Sequence, residues 1–411
     1  MNIKNLIILT MITLAVIITA AVLNQPQTTT ISESKKLFPH LLKALDRVSE
    51  ITVSTKNEVA TLTRPVEGQW QLKEKHNYPV SPDKIHKLLI GVADLVTLEA
   101  KTNNPKLYSK LGVEDITAEA SQSKLLTLKN AEGKTLASLI VGNDKVAKTD
   151  PTLQEIYVRR AEDKQAWLVI GQLTVEKAAA NWLNAKIVDV DSARVSKINI
   201  THPDGEEIAI FKTAPQAEEF QLAYIPEKAK VKMPHVLKNI ATTLSNLELD
   251  DVTTANEITF TDDASTRAVF TTFDGLEITM VTMNKDNKHY AKFSAAFTPK
   301  AVWTEPQEPT QSATEKEQSP ANPTEKVANK TEKKTPWQPK PADEINKQVE
   351  TLNAQFKDWV YILSDYKVDD LAKKQKDLIE EESSTKAEKP VADEVGEPAT
   401  AIEEITVPVE N

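Results

Sequence analysis

The sequence predicts an α+β fold: two tandem duplicated units of antiparallel strands with packing helices, after an N-terminal transmembrane helix. Three observations predict it. Short apolar–polar alternations bounded by turn residues recur along most of the chain, the pattern of half-buried strands. They recur in the same order twice, and Arg47-Val48-Ser49 returns as Arg194-Val195-Ser196, each followed by a charged residue and an isoleucine. An uncharged apolar run from Leu6 to Leu23 precedes them.

That run follows Lys4 and contains only Thr10, Thr13 and Thr19 as polar interruptions. As a helix rising 1.5 Å per residue it would span ~27 Å, close to the hydrocarbon core of a bilayer. A cleavable leader has a shorter apolar stretch and a clear small-x-small site, whereas Thr19-Ala20-Ala21 lies inside the run. Residues 1–23 are therefore expected to be an uncleaved signal anchor. Lys4 holds the N-terminus on the cytoplasmic side of a bacterial inner membrane, and the bulk of the chain is periplasmic. Residues 24–36, polar and rich in Thr and Ser, read as a stalk.

The first unit is assigned to residues 37–190. Strands are expected at Ile51–Val53, Val59–Thr63 and around Trp70-Gln71-Leu72. Ser81 and Pro82 suit the start of a helix whose stripe is Ile85, Leu88, Leu89, Val92, Leu95 and Val96. A hairpin follows across Leu125–Gly142, turning at Glu132-Gly133. Ile156–Arg160 and Ala166–Gly171 pair next, and Leu173–Val188 reads as a second helix.

The second unit, residues 191–379, repeats this order. Lys197–Phe211 is strand, Pro-Asp-Gly turn, strand. Phe220-Gln221-Leu222 stands where Trp70-Gln71-Leu72 stood. Pro234 opens a helix with the stripe Leu237, Ile240, Leu244 and Leu247. Gly275 answers Gly133, and His289–Phe297 answers Ile156–Arg160. The strand at Trp359 is delayed by an insertion. Its portion from about 304 to 341 is Pro, Glu, Lys, Thr and Gln with almost no apolar residue, and it predicts disorder. Ile345, Val349, Leu352 and Phe356 mark a helix returning to the sheet. The tail, 380–411, holds ten acids and two lysines and also predicts disorder.

Composition excludes several functions. The chain has no cysteine, so disulfides, thiolate metal sites and cysteine nucleophiles are ruled out. A net charge of −10 argues against nucleic acid as a partner. No P-loop, dinucleotide-binding or Ser-nucleophile motif occurs.

The remaining candidates are weak. His40, His76, His86, His202, His235 and His289 show no ligand spacing. His86 and His235 match in one of two possible helix registers and read as partly exposed helix residues. His202, before its turn, is expected to face solvent. The acid pairs Asp189/Asp191, Asp250/Asp251 and Asp262/Asp263 read as turn or cap residues. Trp70, Trp167, Trp182 and Trp359 read as core anchors. Arg159-Arg160 could meet anionic headgroups but reads as a solvated strand end, and Glu380-Glu381-Glu382 reads as a solvated helix end. No catalytic, cofactor or metal residue is assigned.

The stretches "LNAQFKDWVYILSDYKVDDLAKKQKDLI" and "NWLNAKIVDVDSARVSKINI", with the apolar N-terminus, resemble a bacterial family of unknown function. The resemblance covers about Leu37 to Ile379. Members of that family are single-pass envelope proteins, often encoded beside the ATPase and permease of an ABC system of the gliding-motility type. The resemblance implies a non-catalytic accessory subunit of an envelope transport complex, with the ABC permease and ATPase as partners. Two alternatives stand beside it: an envelope hydrolase or transferase with a site between the units, and a lipid- or glycan-binding module.

Overall fold

The computed structural model describes residues 35–65, 68–148, 150–227, 229–299 and 337–381. The expected anchor and most of the stalk, the insertion before Trp337 and the tail beyond Glu381 lie outside them. Among the described residues no helix is long and apolar enough to cross a membrane.

The fold is mostly antiparallel sheet with a few helices. The first sheet holds β1 (Val48–Ser54), β2 (Val59–Thr63), β3 (Gln71–Leu72), β4 (Tyr78–Pro79), β5 (Val96–Thr102), β6 (Lys124–Asn130), β7 (Thr135–Val146), β8 (Gln154–Arg160) and β9 (Ala166–Gly171). Their spatial order is β4-β3-β2-β1-β6-β7-β8-β9-β5. Helix α1 (Pro82–Asp94) sits between β4 and β5 in the chain. A short strand, β10 (Lys186–Val188), leads out of this half.

The second half holds β11 (Val195–Thr201), β12 (Glu207–Phe211), β13 (Gln221–Leu222), β14 (Ala229–Val231), helix α2 (Pro234–Ala241), β15 (Leu247–Glu248), β16 (Asp251–Thr254), β17 (Ser265–Thr272), β18 (Leu276–Lys285) and β19 (Lys288–Phe297). Helix α3 (Ala342–Phe356), β20 (Trp359–Leu363) and β21 (Ile379–Glu381) complete it. Its main sheet runs β13-β12-β11-β17-β18-β19-β20-β16, the order of the first sheet without β4. The counterpart of β4 is β14, which pairs with β21 instead. β10 pairs with β15, so a small two-stranded sheet stitches the halves together.

The recurring Arg-Val-Ser has a structural meaning. In each half the register slips at the serine, between Val48 and Glu50 in β1 and between Val195 and Lys197 in β11. These are β-bulges, which bend the strand and strengthen its twist. The Ser49 carbonyl accepts from the Arg64 N–H at 2.8 Å, and the Ser196 carbonyl accepts from the Lys212 N–H at 2.8 Å. The basic side chains also correspond. Arg64 donates to the Asp46 carbonyl and its guanidinium lies 5.5 Å from the Trp70 ring centre. Lys212 donates to the Ala193 carbonyl and its ammonium lies 5.1 Å from the Phe220 ring centre. The same local device is thus used twice, at the start of each sheet.

Alternation along the strands sets one face of each sheet inward. Ile51, Val53, Leu126, Leu128 and Leu139 are buried in the first; Ile198, Ile200, Ile210, Phe270 and Ile278 are buried in the second. Ile85, Leu88 and Val92 of α1, Leu237 and Ile240 of α2, and Ile345 and Phe356 of α3 join them in one continuous cluster.

Two expectations about helices are corrected. Leu173–Val188 is not a helix: a single 3-10 turn covers Ala179–Trp182 and β10 follows. Its apolar residues are buried, but its backbone bonds to other elements. Asn184 donates to Pro79, Ser81 donates to the Trp182 carbonyl, and Leu183 bridges Val80. Helical spacing of apolar residues is satisfied here by an extended chain laid into a groove, because these tertiary hydrogen bonds replace the helical ones. The second correction is that α2 stops at Ala241. Leu244 and Leu247 of its expected stripe are fully buried, yet they lie in the following turns and in β15.

Candidate functional site

The halves meet along a seam of rings. A tight turn with both His76 (φ 53°) and Asn77 (φ 63°) in the left-handed region delivers Tyr78 to the far edge of the second sheet. The Tyr78 ring stands edge-on to Trp359 at 4.9 Å and to Tyr361 at 6.4 Å. Tyr361 then meets Phe293 at 5.7 Å, and Phe293 meets Phe356 at 5.4 Å. Such ring pairs add ~0.5–1.5 kcal/mol each beyond the area they bury. The Tyr361 hydroxyl donates to the Gln355 carbonyl at 3.2 Å, and the Gln355 amide donates to the carbonyls of Lys186 and Ile187 in β10. Beside the rings, Lys75 and Asp251 form a half-buried ion pair at 2.7 Å, and His76 Nε2 lies 3.3 Å from Glu257.

Burial pushes the Tyr78 hydroxyl from 10.0 up to about 12, with the Tyr361 hydroxyl pulling slightly the other way. Burial, then the neighbouring Tyr78, pushes Tyr361 up as well. A raised folded pKa means the contribution of Tyr78 is whole below pH 10 and is lost as pH climbs through about 12. The melting temperature is therefore expected to fall across that window, with tyrosinate absorbance appearing together with unfolding. A Tyr78→Phe variant whose alkaline melting profile matches the unsubstituted protein would remove this assignment.

Several expected site residues sit elsewhere. Arg159 is not a solvated strand end. It lies within β8, is 5% exposed, and donates to the carbonyls of Val113 and Asp163 and to the Asp115 carboxylate. Arg160 donates to the Leu37 carbonyl and lies over the Phe38 ring. Loops wrapping the strand end bury Arg159 and half-bury Arg160, which two adjacent arginines in a sequence do not reveal. Trp182 is buried, whereas Trp70, Trp167 and Trp359 are half-buried against the core. His40, His76, His86 and His235 are exposed.

The acid pairs divide. Asp189 bonds Lys186 and the Asn246 N–H, contacts that hold its carboxyl below the usual range, and Asp191 caps the turn before β11. Asp250 accepts from Ser364, while Asp251 takes part in the seam. Asp262 and Asp263 open a 3-10 turn before β17. Among the described residues no three His, Asp or Glu side chains gather to hold a metal ion.

The largest departure is His202. It does not face solvent but is 4% exposed, and its Nε2 is buried without a partner among the described residues. It lines a 530 Å³ groove at one end of the second sheet together with Ser265, Arg267, Lys292, Asp262 and Asp263. Ser265 is 8% exposed, and its Oγ is likewise without a partner. Serine and histidine in one groove are the residue types of nucleophilic catalysis, but with both atoms unpaired no base is bonded to the hydroxyl. The activated pair such chemistry needs is not assembled. The turn-flanking position of His202 carried no signal of this, because burial there is set by packing of the β11–β12 turn.

A DUF4340 domain, a domain of unknown function, is found over residues 70–268. It starts beside β3 in the first half and ends within β17 in the second, so the DUF4340 stretch contains Tyr78 of the seam and both His202 and Ser265 of the groove. No curated protein and no solved structure matches the chain.

Proposed function

We propose that this protein is a non-catalytic accessory subunit of an ABC-type envelope transport complex, acting by protein–protein docking. Residues 6–23 anchor it in the inner membrane of a bacterium, and an internally duplicated α+β body stands on the periplasmic side. The observation that carries the reading is the seam. Two sheets of the same strand order, each with the same bulge and basic clamp, are joined through Tyr78, Trp359 and Tyr361 into one continuous core. A body of this kind presents two related surfaces at a fixed spacing, which suits a scaffold holding partners in register. The resemblance of the sequence to anchored envelope proteins encoded with ABC components supports the same reading.

The hydrolase alternative asks for an inter-domain pocket with clustered, perturbed titratable groups. The perturbed groups at the seam, Tyr78 and Tyr361, are pushed up by burial among packed rings, and the charges beside them are paired. Purification of the tagged full chain from membranes in mild detergent tests the docking role. The expected result is co-purification of an ABC permease and its ATPase. Recovery of the chain without any envelope protein would overturn it.

A further inference from the structure

The groove beneath His202 has features of a ligand site that the docking role does not use. Its floor is a row of cross-strand neighbours. Thr201 pairs with Arg267, Arg267 with Val281, and Val281 with Lys292, one residue from each of β11, β17, β18 and β19. Being opposite one another, these four share one face of the sheet. At the edge of the groove stands the turn carrying Asp262 and Asp263.

Two independent observations point to an occupant. The first is the pair of orphaned polar atoms, His202 Nε2 and Ser265 Oγ, both on residues more than nine-tenths buried and both lining the groove. A buried polar atom without a partner is unfavourable, and a ligand that bonds to it removes that cost. The second is the charge. Arg267 and Lys292 bring two cations, and Asp262 and Asp263 bring two carboxylates, yet none of the four forms an ion pair among the described residues. Among the described residues Arg267 hydrogen-bonds the Thr279 hydroxyl alone, at 3.4 Å, and the Lys292 ammonium rests 4.7 Å from the Phe260 ring centre.

A ligand of one sign would be attracted by one pair of these groups and repelled by the other. A ligand bearing both signs gains from both. We propose that the groove binds a small phosphate-bearing zwitterion of the phosphoethanolamine type. Its phosphate sits on Arg267 and Lys292 with the Ser265 hydroxyl donating, and its ammonium points to Asp262 and Asp263. Phosphate is favoured over carboxylate because two cations and a hydroxyl face it, matching an oxyanion with several acceptors. His202 Nε2 supplies a further hydrogen-bonding position at the same end.

The test is calorimetric titration of the full chain in detergent with O-phosphoethanolamine, and separately with inorganic phosphate and with ethanolamine. The zwitterion is expected to bind at least about tenfold more tightly than either fragment, and Arg267→Gln to weaken it by about tenfold, the scale of one charge-assisted contact. Asp262→Asn with Asp263→Asn is expected to abolish the preference over inorganic phosphate. All three residues are exposed, so these variants fold, and unchanged melting curves check that. Binding of the zwitterion no tighter than inorganic phosphate, or unchanged in both variants, would overturn the proposal. Competition by phosphatidylethanolamine vesicles identifies a lipid headgroup as the source; free O-phosphoethanolamine binding undisturbed by them identifies a soluble one. Neither readout depends on a docking partner, so failure here and failure of the docking role are separable.

Discussion

Tyr361→Ala is expected to lower the stability of the body by about 3–5 kcal/mol, the range for removing a large buried aromatic side chain. Tyr361 is fully buried and contacts rings from three directions: Tyr78 across the seam, and Phe293 and Phe356 within its own half. Truncation opens a cavity where the halves join and leaves the Gln355 carbonyl without the phenol hydroxyl. Gln355 in turn holds β10 of the first half, so the loss spreads across the seam. Guanidinium unfolding followed by tryptophan fluorescence reads the effect as a lower midpoint. A Tyr361→Phe control keeps the ring and is expected to lose only about 1–3 kcal/mol, the cost of one unsatisfied buried group. An alanine variant within about 1 kcal/mol of the unsubstituted protein would show that the seam contributes little, since core losses of this type run well above that.

Asp274→Ala is expected to cost about 3–5 kcal/mol, because it strands a mostly buried arginine. The Asp274 side chain is 1% exposed and that of Arg194 16%. One carboxylate oxygen accepts from Arg194 Nε at 3.1 Å and Nη2 at 2.9 Å, and the other accepts from the Thr272 hydroxyl. The Phe273 N–H donates to the Arg194 carbonyl at 2.8 Å, so the pair pins the turn between β17 and β18 to the start of β11. Gly275 in this turn has φ +86°, a left-handed conformation that glycine adopts without strain. Replacing both partners with apolar residues, Arg194→Met with Asp274→Leu, is expected to restore most of the loss, since the penalty is the uncompensated charge. A double variant no more stable than Asp274→Ala, in the same denaturant titration, would contradict that account.

The two halves use their repeated arginine differently. Arg194 is locked to Asp274, whereas Arg47 is exposed beside Leu37, Phe38 and Leu41. The bulge at the following serine is common to both. Sequence recurrence therefore reported the backbone device faithfully and said nothing of the side chain's partner. Strand positions were legible because alternation with period two depends only on which face meets the core. The turn glycines were legible because Gly133 and Gly275 both need positive φ.

Leu173–Val188 misled because burial on several sides imitates a helical stripe, and only the acceptor at Pro79 and the donor at Ser81 reveal an extended path. The candidate groove was hidden for a related reason. Its members come from β11, β17, β18, β19 and the turns before β12 and β17, and none is chemically unusual where it stands in the chain.

The sequence alone determined much of the local grammar: where the long strands and helices α1 and α3 form, where the hairpins turn, and that one pattern is written twice. Those features follow from neighbouring residues and a single inward face. Only the tertiary structure decided which edges join, as Lys75 finds Asp251 across 176 residues of chain, and which polar atoms are left buried without partners. Both outcomes depend on long-range contacts that leave no periodic trace, because each is settled by the shape of the assembled surfaces and not by any segment on its own.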